Sequence, residues 1–393
     1  MIRVLAVGAA IALAAGAPAS PEERAAAITR PAVVSVEVDW HGWVRDPGTG
    51  EVFGGPSGYT ATTRCSGVVV AEDGYVVTAG HCVDAGPAGG GGALVDLALA
   101  ELAGYGRVGD ETKARAQLAT VAVVEGASAG TPVRRDVRVA RIVGTSSPEL
   151  DVAPATVVDL LPPGEGDVAL LRIPREQLAA VEVTTEDALP AGTPVLAVGF
   201  PAAVGDATDP GTEPTSKNGQ ISARRAVSGT PHYEISAAAA PGMSGGPVVD
   251  MAGRVIGLVS AAPRGETQPF NLVTASSSIW KALRGHPVRA VPSANDRNFV
   301  AGLDRYYDGD YPEAVEYFDA VLAATPAHRQ AAEYRRLAAE HGDGGPDVVL
   351  LLIIGCATLG VGTAVAGTVL WRRRRIADLP TPPHGLALGV HHD

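Results

Sequence analysis

Between residues 28 and 280 the chain alternates apolar and polar positions in short runs broken by Gly, Pro and Asp, as in "AVVSVEV" (32–38), "SGVVVAEDGYVVTA" (66–79), "VRVARIVG" (137–144), "VALLRI" (168–173), "PVLAVGF" (194–200) and "RVIGLVSA" (254–261). Runs of this length, rich in β-branched residues and bounded by turn residues, predict the strands of an all-β barrel or sandwich. One segment breaks the rhythm. After "GPAGGGG", the stretch "ALVDLALAELAG" places Val95, Leu99 and Leu102 on one helical face with Gly104 as a stop. Residues 86–130 therefore read as an insertion, with a surface loop as the first expectation and a lid or partner surface as the others.

The period changes again at 295–341, where "FVAGLDRYYDGDYPEAVEYFDAVLAATPAHRQAAEYRRLAAE" reads as helix throughout. Gly302, Ala314, Phe318 and Pro326 stand at the small, bulky and terminal positions of a tetratricopeptide repeat, which the segment resembles. A single repeat cannot bury its own apolar face, so the helix pair is expected to pack on the β domain, on a partner or on another copy. A plain helical stalk is the competing reading.

Both ends are apolar in a different way. Residues 1–19 combine Arg3, an apolar stretch and an A-x-A arrangement at Ala17 and Ala19, the pattern of a secretory signal peptide, with an uncleaved anchor as the alternative. Residues 348–371 carry no charge and exceed the ~20 residues that cross a bilayer as a helix. Arg372–Arg375 follow directly, which predicts a single span with everything before it extracytoplasmic and a disordered cytoplasmic tail over 372–393. Composition adds exclusions. At a net charge of -12, with no basic stretch in the body of the chain, no nucleic-acid partner is expected. Forty-eight glycines and 30 prolines against 5% aromatics mark a turn-rich chain.

Three local patterns carry chemistry, in the order "TAGHC" (78–82), "GEGDVALLRI" (164–173) and "PGMSGGP" (241–247). A serine hydroxyl is a weak nucleophile at neutral pH and needs a base, which in turn needs a group that fixes its tautomer. Glycines around a serine allow successive N–H groups to converge on one point, the geometry of an oxyanion hole. Each pattern alone has a structural explanation; together, on an all-β pattern, they are specific. Here the chain resembles the chymotrypsin-like (trypsin-like) serine peptidases over about residues 30–283, with the peptidase domain placed at 28–285.

The resemblance implies a double β-barrel, His81 as general base, Asp167 as its buried partner and Ser244 as nucleophile, with the N–H groups of Gly242 and Ser244 as the oxyanion hole. Asp136, Asp151 and Asp159 compete for the acidic role, but Asp167 alone leads directly into an apolar strand. Cys65 and Cys82 flank a strand, an Asp-Gly turn and a returning strand that would bring them together, and the family has a disulfide at the matching place. No metal or cofactor is expected. In the family the base of the primary pocket lies six residues before the nucleophile, so the resemblance implies Ala238 there, with Ser260, Ala261 and Ala262 along the wall, which favours a small or medium apolar substrate side chain over Arg or Lys.

Met243 stands where the digestive members carry aspartate, so activation by a new N-terminus is not implied. The segments "VLAVGFP", "GQISARR" and "PGMSGGPVVD" look closer to the bacterial HtrA/Deg-like branch. The expectation is a membrane-anchored serine endopeptidase acting on proteins or peptides, possessing a helical segment able to meet a protein partner. A non-enzymatic receptor built on the same fold is the alternative.

Overall fold

The computed structural model describes residues 20–342, except 187, 203–212 and 262–270, together with Thr368. The expected signal peptide (1–19), membrane span (348–371) and tail (372–393) lie outside the described residues, apart from Thr368. Among the described residues, no helix is long and apolar enough to cross a membrane.

The first strand, β1 (Val33–Arg45), explains the architecture that follows. Its alternate residues Val34, Val36, Val38, Trp40 and Val44 are buried, so one face of the strand belongs to a core. It pairs on one side with β3 (Tyr59–Ala71) and on the other with β6 (Arg134–Val143); its far end also takes the short β2 (Val52–Phe53) and β5 (Val123–Glu125). From β3 the sheet continues through β4 (Tyr75–Thr78) and β9 (Val168–Arg172) to β8 (Thr156–Leu161), and from β6 to β7 (Glu149–Pro154). The two ends of that path, β7 and β8, are consecutive in the chain, separated only by Ala155, whose N–H bonds to Val137 O at 2.9 Å. One extended run thus lies on both ends of the sheet and curls it into a barrel.

The second barrel closes by pairing alone. Its strands are β10 (Pro194–Gly199), β11 (Thr215–Val227), β12 (Thr230–Ile235), β13 (Pro247–Val249), β14 (Val255–Ala261) and β15 (Asn271–Ala275), ordered β10-β11-β12-β15-β14-β13. Val195, Ile221, Tyr233, Met243 and Ile256 fill it. Met243, where an aspartate would have signalled the digestive branch, is fully buried in this core.

Helices attach to this frame at several points. The insertion is not a loose surface loop, as first expected. Its helix α3 (Gly92–Gly104), preceded by α2 (Gly80–Val83), buries Leu94, Val95, Ala98 and Leu102 in the first-barrel core. Removing each of the larger side chains from water contributes roughly 2 kcal/mol, enough to fix the segment. Tyr59 OH on β3 also donates to the Glu101 carboxylate, and α4 (Glu111–Val121) follows, an element the periodicity did not reveal. Past the second barrel, α5 (Ser276–Leu283) returns to the first.

The last helices are three rather than a pair: α6 (Ala294–Tyr307), α7 (Tyr311–Ala324) and α8 (Arg329–Gly342). Phe299, Leu303, Phe318 and Val321 form their core, and Gly302 lets α7 come close, since a Cβ there would lie 2.7 Å from the Phe318 ring. Of the three expected settings for this unit, it occupies the β domain. Asp296 closes a capping box with Ser293 and accepts the N–H of Ala180 at 3.1 Å. The unit also rests on α1 (Pro21–Thr29), a helix ahead of the expected domain start at 28. Ala27 enters the helical core and Arg24 pairs with Asp304.

His328 caps α8 by accepting the N–H of Ala331 at Nδ1 (3.1 Å), while its ring lies 4.6 Å from that of Phe299. Burial pushes its pKa down to about 4 from 6.5. With the folded value depressed, the contribution is complete above pH 6.5 and is lost as pH falls through 6.5 towards 4, roughly 3 kcal/mol in all. His328→Asn keeps a capping side chain without the titration. Its Tm is expected to fall less between pH 7 and 5 than that of the wild type, and parallel Tm curves would remove His328 as the cause.

Candidate active site

The β3–β4 hairpin turns at Asp73 and Gly74, placing Gly67 opposite Thr78. The residues just beyond that pair, Cys65 and Cys82, are joined by a disulfide with Cα atoms 6.2 Å apart. A ring nitrogen of His81 lies within 4.8 Å of both sulfurs, but sulfurs committed to an S–S bond offer no thiolate to a metal. The cross-link closes a 17-residue separation and contributes about 3 kcal/mol in the chain-entropy account. Replacing both cysteines by Ala is expected to lower Tm accordingly, while an unchanged melting curve would show that the hairpin holds without it.

β4 hands the chain to the single turn of α2, which carries His81. The Asp167 carboxylate is 2% exposed and accepts from the His81 backbone N–H (2.7 Å), from His81 Nδ1 (3.0 and 3.1 Å to its two oxygens) and from the Ser260 hydroxyl. Burial by itself would raise this carboxyl. The His81 hydrogen bond and charge, the Ser260 hydroxyl and the His81 N–H outweigh it and hold the pKa below the ordinary value. Asp167 itself has φ 51°, a left-handed conformation that Asp tolerates better than most side chains. Its N–H bonds to Pro162 O at 3.1 Å. The competing aspartates are engaged elsewhere: Asp151 with Arg141 and Arg175, Asp136 with Arg134, and Asp159 with His286.

With Nδ1 directed at Asp167, the imidazole keeps Nε2 for another partner. Ser244 comes from the connection between β12 and β13 of the second barrel. Its backbone O accepts from Ser66 N at 2.8 Å and lies 3.9 Å from the sulfur of Cys82, beside the residue that follows His81. Its hydroxyl is directed at Ser260 O, 3.4 Å away, and among the described contacts none links it to His81. The turn before it holds Gly242 at φ +94°, where a Cβ would lie 2.5 Å from Ala202 N and 2.6 Å from Phe200 O, so only glycine fits. The N–H groups of Gly242 and Ser244 have no acceptor among the described residues.

Of the residues assigned to the pocket, the structure describes the side chains of Ala238 and Ser260. Ala238 is exposed. Ala262 lies outside the described residues, and Ala261 is described only as the end of β14. Ser260 is 7% exposed and donates to Asp167, so its hydroxyl belongs to the His81–Asp167 network. A lone polar residue in the apolar strand "VIGLVSA" was the available signal, since buried hydroxyls find partners. Asn271, also missed, donates from Nδ2 to Ala237 O at 2.8 Å, next to the exposed Ala238.

Residues 65–258 match the family described as the trypsin-like peptidase domain. Over that segment, just under half of the chain, the sequence is similar to a trypsin-like peptidase domain, in keeping with the strand-rich two-barrel fold. No curated protein matches. Among solved structures, the serine endoprotease from Yersinia pestis is similar at 18% identity and a TM-score of 0.39, over 67% of this chain and 65% of that one. An HtrA-type protease, AlgW with a tripeptide, is similar at 20% identity and a TM-score of 0.41, over 67% and 64%. This chain therefore spans just under two thirds of either protein.

Proposed function

We propose that the protein is a membrane-tethered, extracytoplasmic serine endopeptidase that hydrolyses peptide bonds of proteins or peptides through an acyl-enzyme. The observation that carries this reading is the His81–Asp167 pair, built at the end of a disulfide-linked hairpin whose next strand residue, Ser66, binds the backbone of Ser244. In this reading His81 Nε2 takes the Ser244 hydroxyl proton as Oγ attacks the scissile carbonyl, and the N–H groups of Gly242 and Ser244 receive the oxyanion. His81 then gives that proton to the leaving amine. Water repeats the sequence on the ester and releases the acid. The Ser244 side chain must rotate from Ser260 O towards His81 for the first step, a tightening that substrate binding commonly supplies.

Ala238 and the neighbouring alanines favour a small or medium apolar side chain in the primary pocket, as no acidic group stands among residues 236–242 to attract Arg or Lys. The uncharged run 348–371 and the four arginines after it support a span with the catalytic domain outside. The tetratricopeptide-like spacing of Gly302, Ala314 and Phe318 supports a partner-binding role for α6–α8.

A fluorophosphonate probe tests the catalytic reading on the full chain in detergent. The wild type is expected to label and Ser244→Ala to remain unlabelled. A folded, monodisperse wild type that takes up no probe would overturn the proposal.

A further inference from the structure

We infer that Ser66 is a positioning residue for the oxyanion turn: its hydroxyl holds the Gly242 carbonyl in the orientation that leaves the Gly242 and Ser244 N–H groups free for substrate. The inference rests on the catalytic reading above and assigns a role to a side chain outside the triad and the hole. Ser66 is fully buried, and each of its polar groups is engaged. Its N–H donates to Ser244 O (2.8 Å) and its O accepts from Thr78 Oγ1 (2.7 Å). Its Oγ accepts from Phe200 N and donates to Gly242 O, both at 2.8 Å. A hydroxyl has one proton, and the Phe200 N–H cannot accept it, so the proton belongs to the Gly242 bond.

The consequence follows from the planarity of trans peptides, in which N–H and C=O point in opposite directions. Three successive carbonyls of the turn are tied back: Pro241 O by Ala202 N (2.8 Å), Gly242 O by the Ser66 hydroxyl and Met243 O by Gly246 N (2.9 Å). Tying the first and third sends the Gly242 and Ser244 N–H groups the opposite way. The middle tie sends the Met243 N–H to Ala240 O (3.0 Å) and out of the hole. Only the middle tie uses a side chain, and the same hydroxyl links it to Phe200, the residue whose O packs against Gly242. Without that oxygen the Gly242–Met243 peptide is held only by the Met243 N–H bond to Ala240 O and is freer to rotate, which misdirects both flanking donors.

The test is Ser66→Ala in the full chain, with kinetics referred to the concentration of Ser244 titrated by the fluorophosphonate. The expected result is a fall in kcat of about 10- to 100-fold, below the 10²–10³ for outright loss of one donor, with KM little changed. Affinity for a peptide boronate, which places a tetrahedral oxygen in the hole, should weaken by the same factor, and affinity of a product peptide should not. Ser66→Gly, which also lacks the hydroxyl, provides the same comparison if the Ala variant does not fold. An unchanged kcat per titrated site, or a boronate affinity that stays at the wild-type level, overturns the inference. A wild type that never labels defeats the catalytic reading instead, so the two failures are distinguishable.

Discussion

Ser244→Ala is expected to lower kcat for peptide hydrolysis by about 10⁶-fold, with KM altered far less. Removing the oxygen abolishes the acyl-enzyme route, while the N–H groups of Gly242 and Ser244 come from the backbone and survive the change. Residues that act as one unit do not contribute additively, so His81→Ala, and the double variant with Ser244→Ala, should fall to about the same floor. A residual rate some 10³-fold above uncatalysed hydrolysis would come from binding and the hole alone. Steady-state kinetics on matched preparations decide it. If Ser244→Ala keeps more than a few per cent of wild-type kcat, the nucleophile lies elsewhere.

Asp167→Asn is expected to cost about 10⁴-fold in kcat at neutral pH, as loss of the acidic member does in the general triad scheme. Asp167 accepts hydrogen bonds from three groups: the His81 N–H, Nδ1–H and the Ser260 hydroxyl. An amide has one acceptor oxygen, and if its NH₂ faces His81, the ring must carry its proton on Nε2 and cannot take one from Ser244. The pH dependence has a definite sign. Because folding lowers the Asp167 pKa, its carboxylate stabilises the folded state fully above the ordinary value of 3.8, and this contribution is lost as pH falls through the lower folded value. Asp167→Asn should therefore remove part of the acid sensitivity of folding together with the activity. A variant that retains both would assign the carboxylate a peripheral role.

The double-barrel plan was legible because its strands are short, β-branched and punctuated, and β1 is buried at every second residue as a period of two requires. His81 and Asp167 could be paired from local motifs, since each motif also supplies the turn that presents its side chain. The relation of Ser260 to Asp167 spans 93 positions and Ser66 to Gly242 spans 176, and no local spacing encodes either contact. Both are hydroxyls in apolar strands, where periodicity registers only an interruption. α1 escaped notice for a related reason: "PEERAAAIT" is nearly all alanine on its buried side, so it has little amphipathic contrast, and its partners lie hundreds of residues away. The packing of the insertion is not legible either, since it depends on Gly90 lying so near the Trp40 ring, 50 positions away, that a Cβ would sit 2.4 Å from it.

The position of α1 bears on how the molecule reaches its folded state during synthesis. Ala25 and Ala26 belong to the core cluster that joins the first barrel to β10 and β14 of the second, Ile28 lies under Gly253, and Ala27 belongs to the core of α6–α8. Arg24 meets Asp304 across 280 residues of chain. α1 thus finds the last of these partners only after both barrels have been synthesised, and closing so long a loop is entropically slow. A chain that stops before residue 294 would leave the α6–α8 side of α1 bare, exposing Ala27 and leaving Arg24 without Asp304.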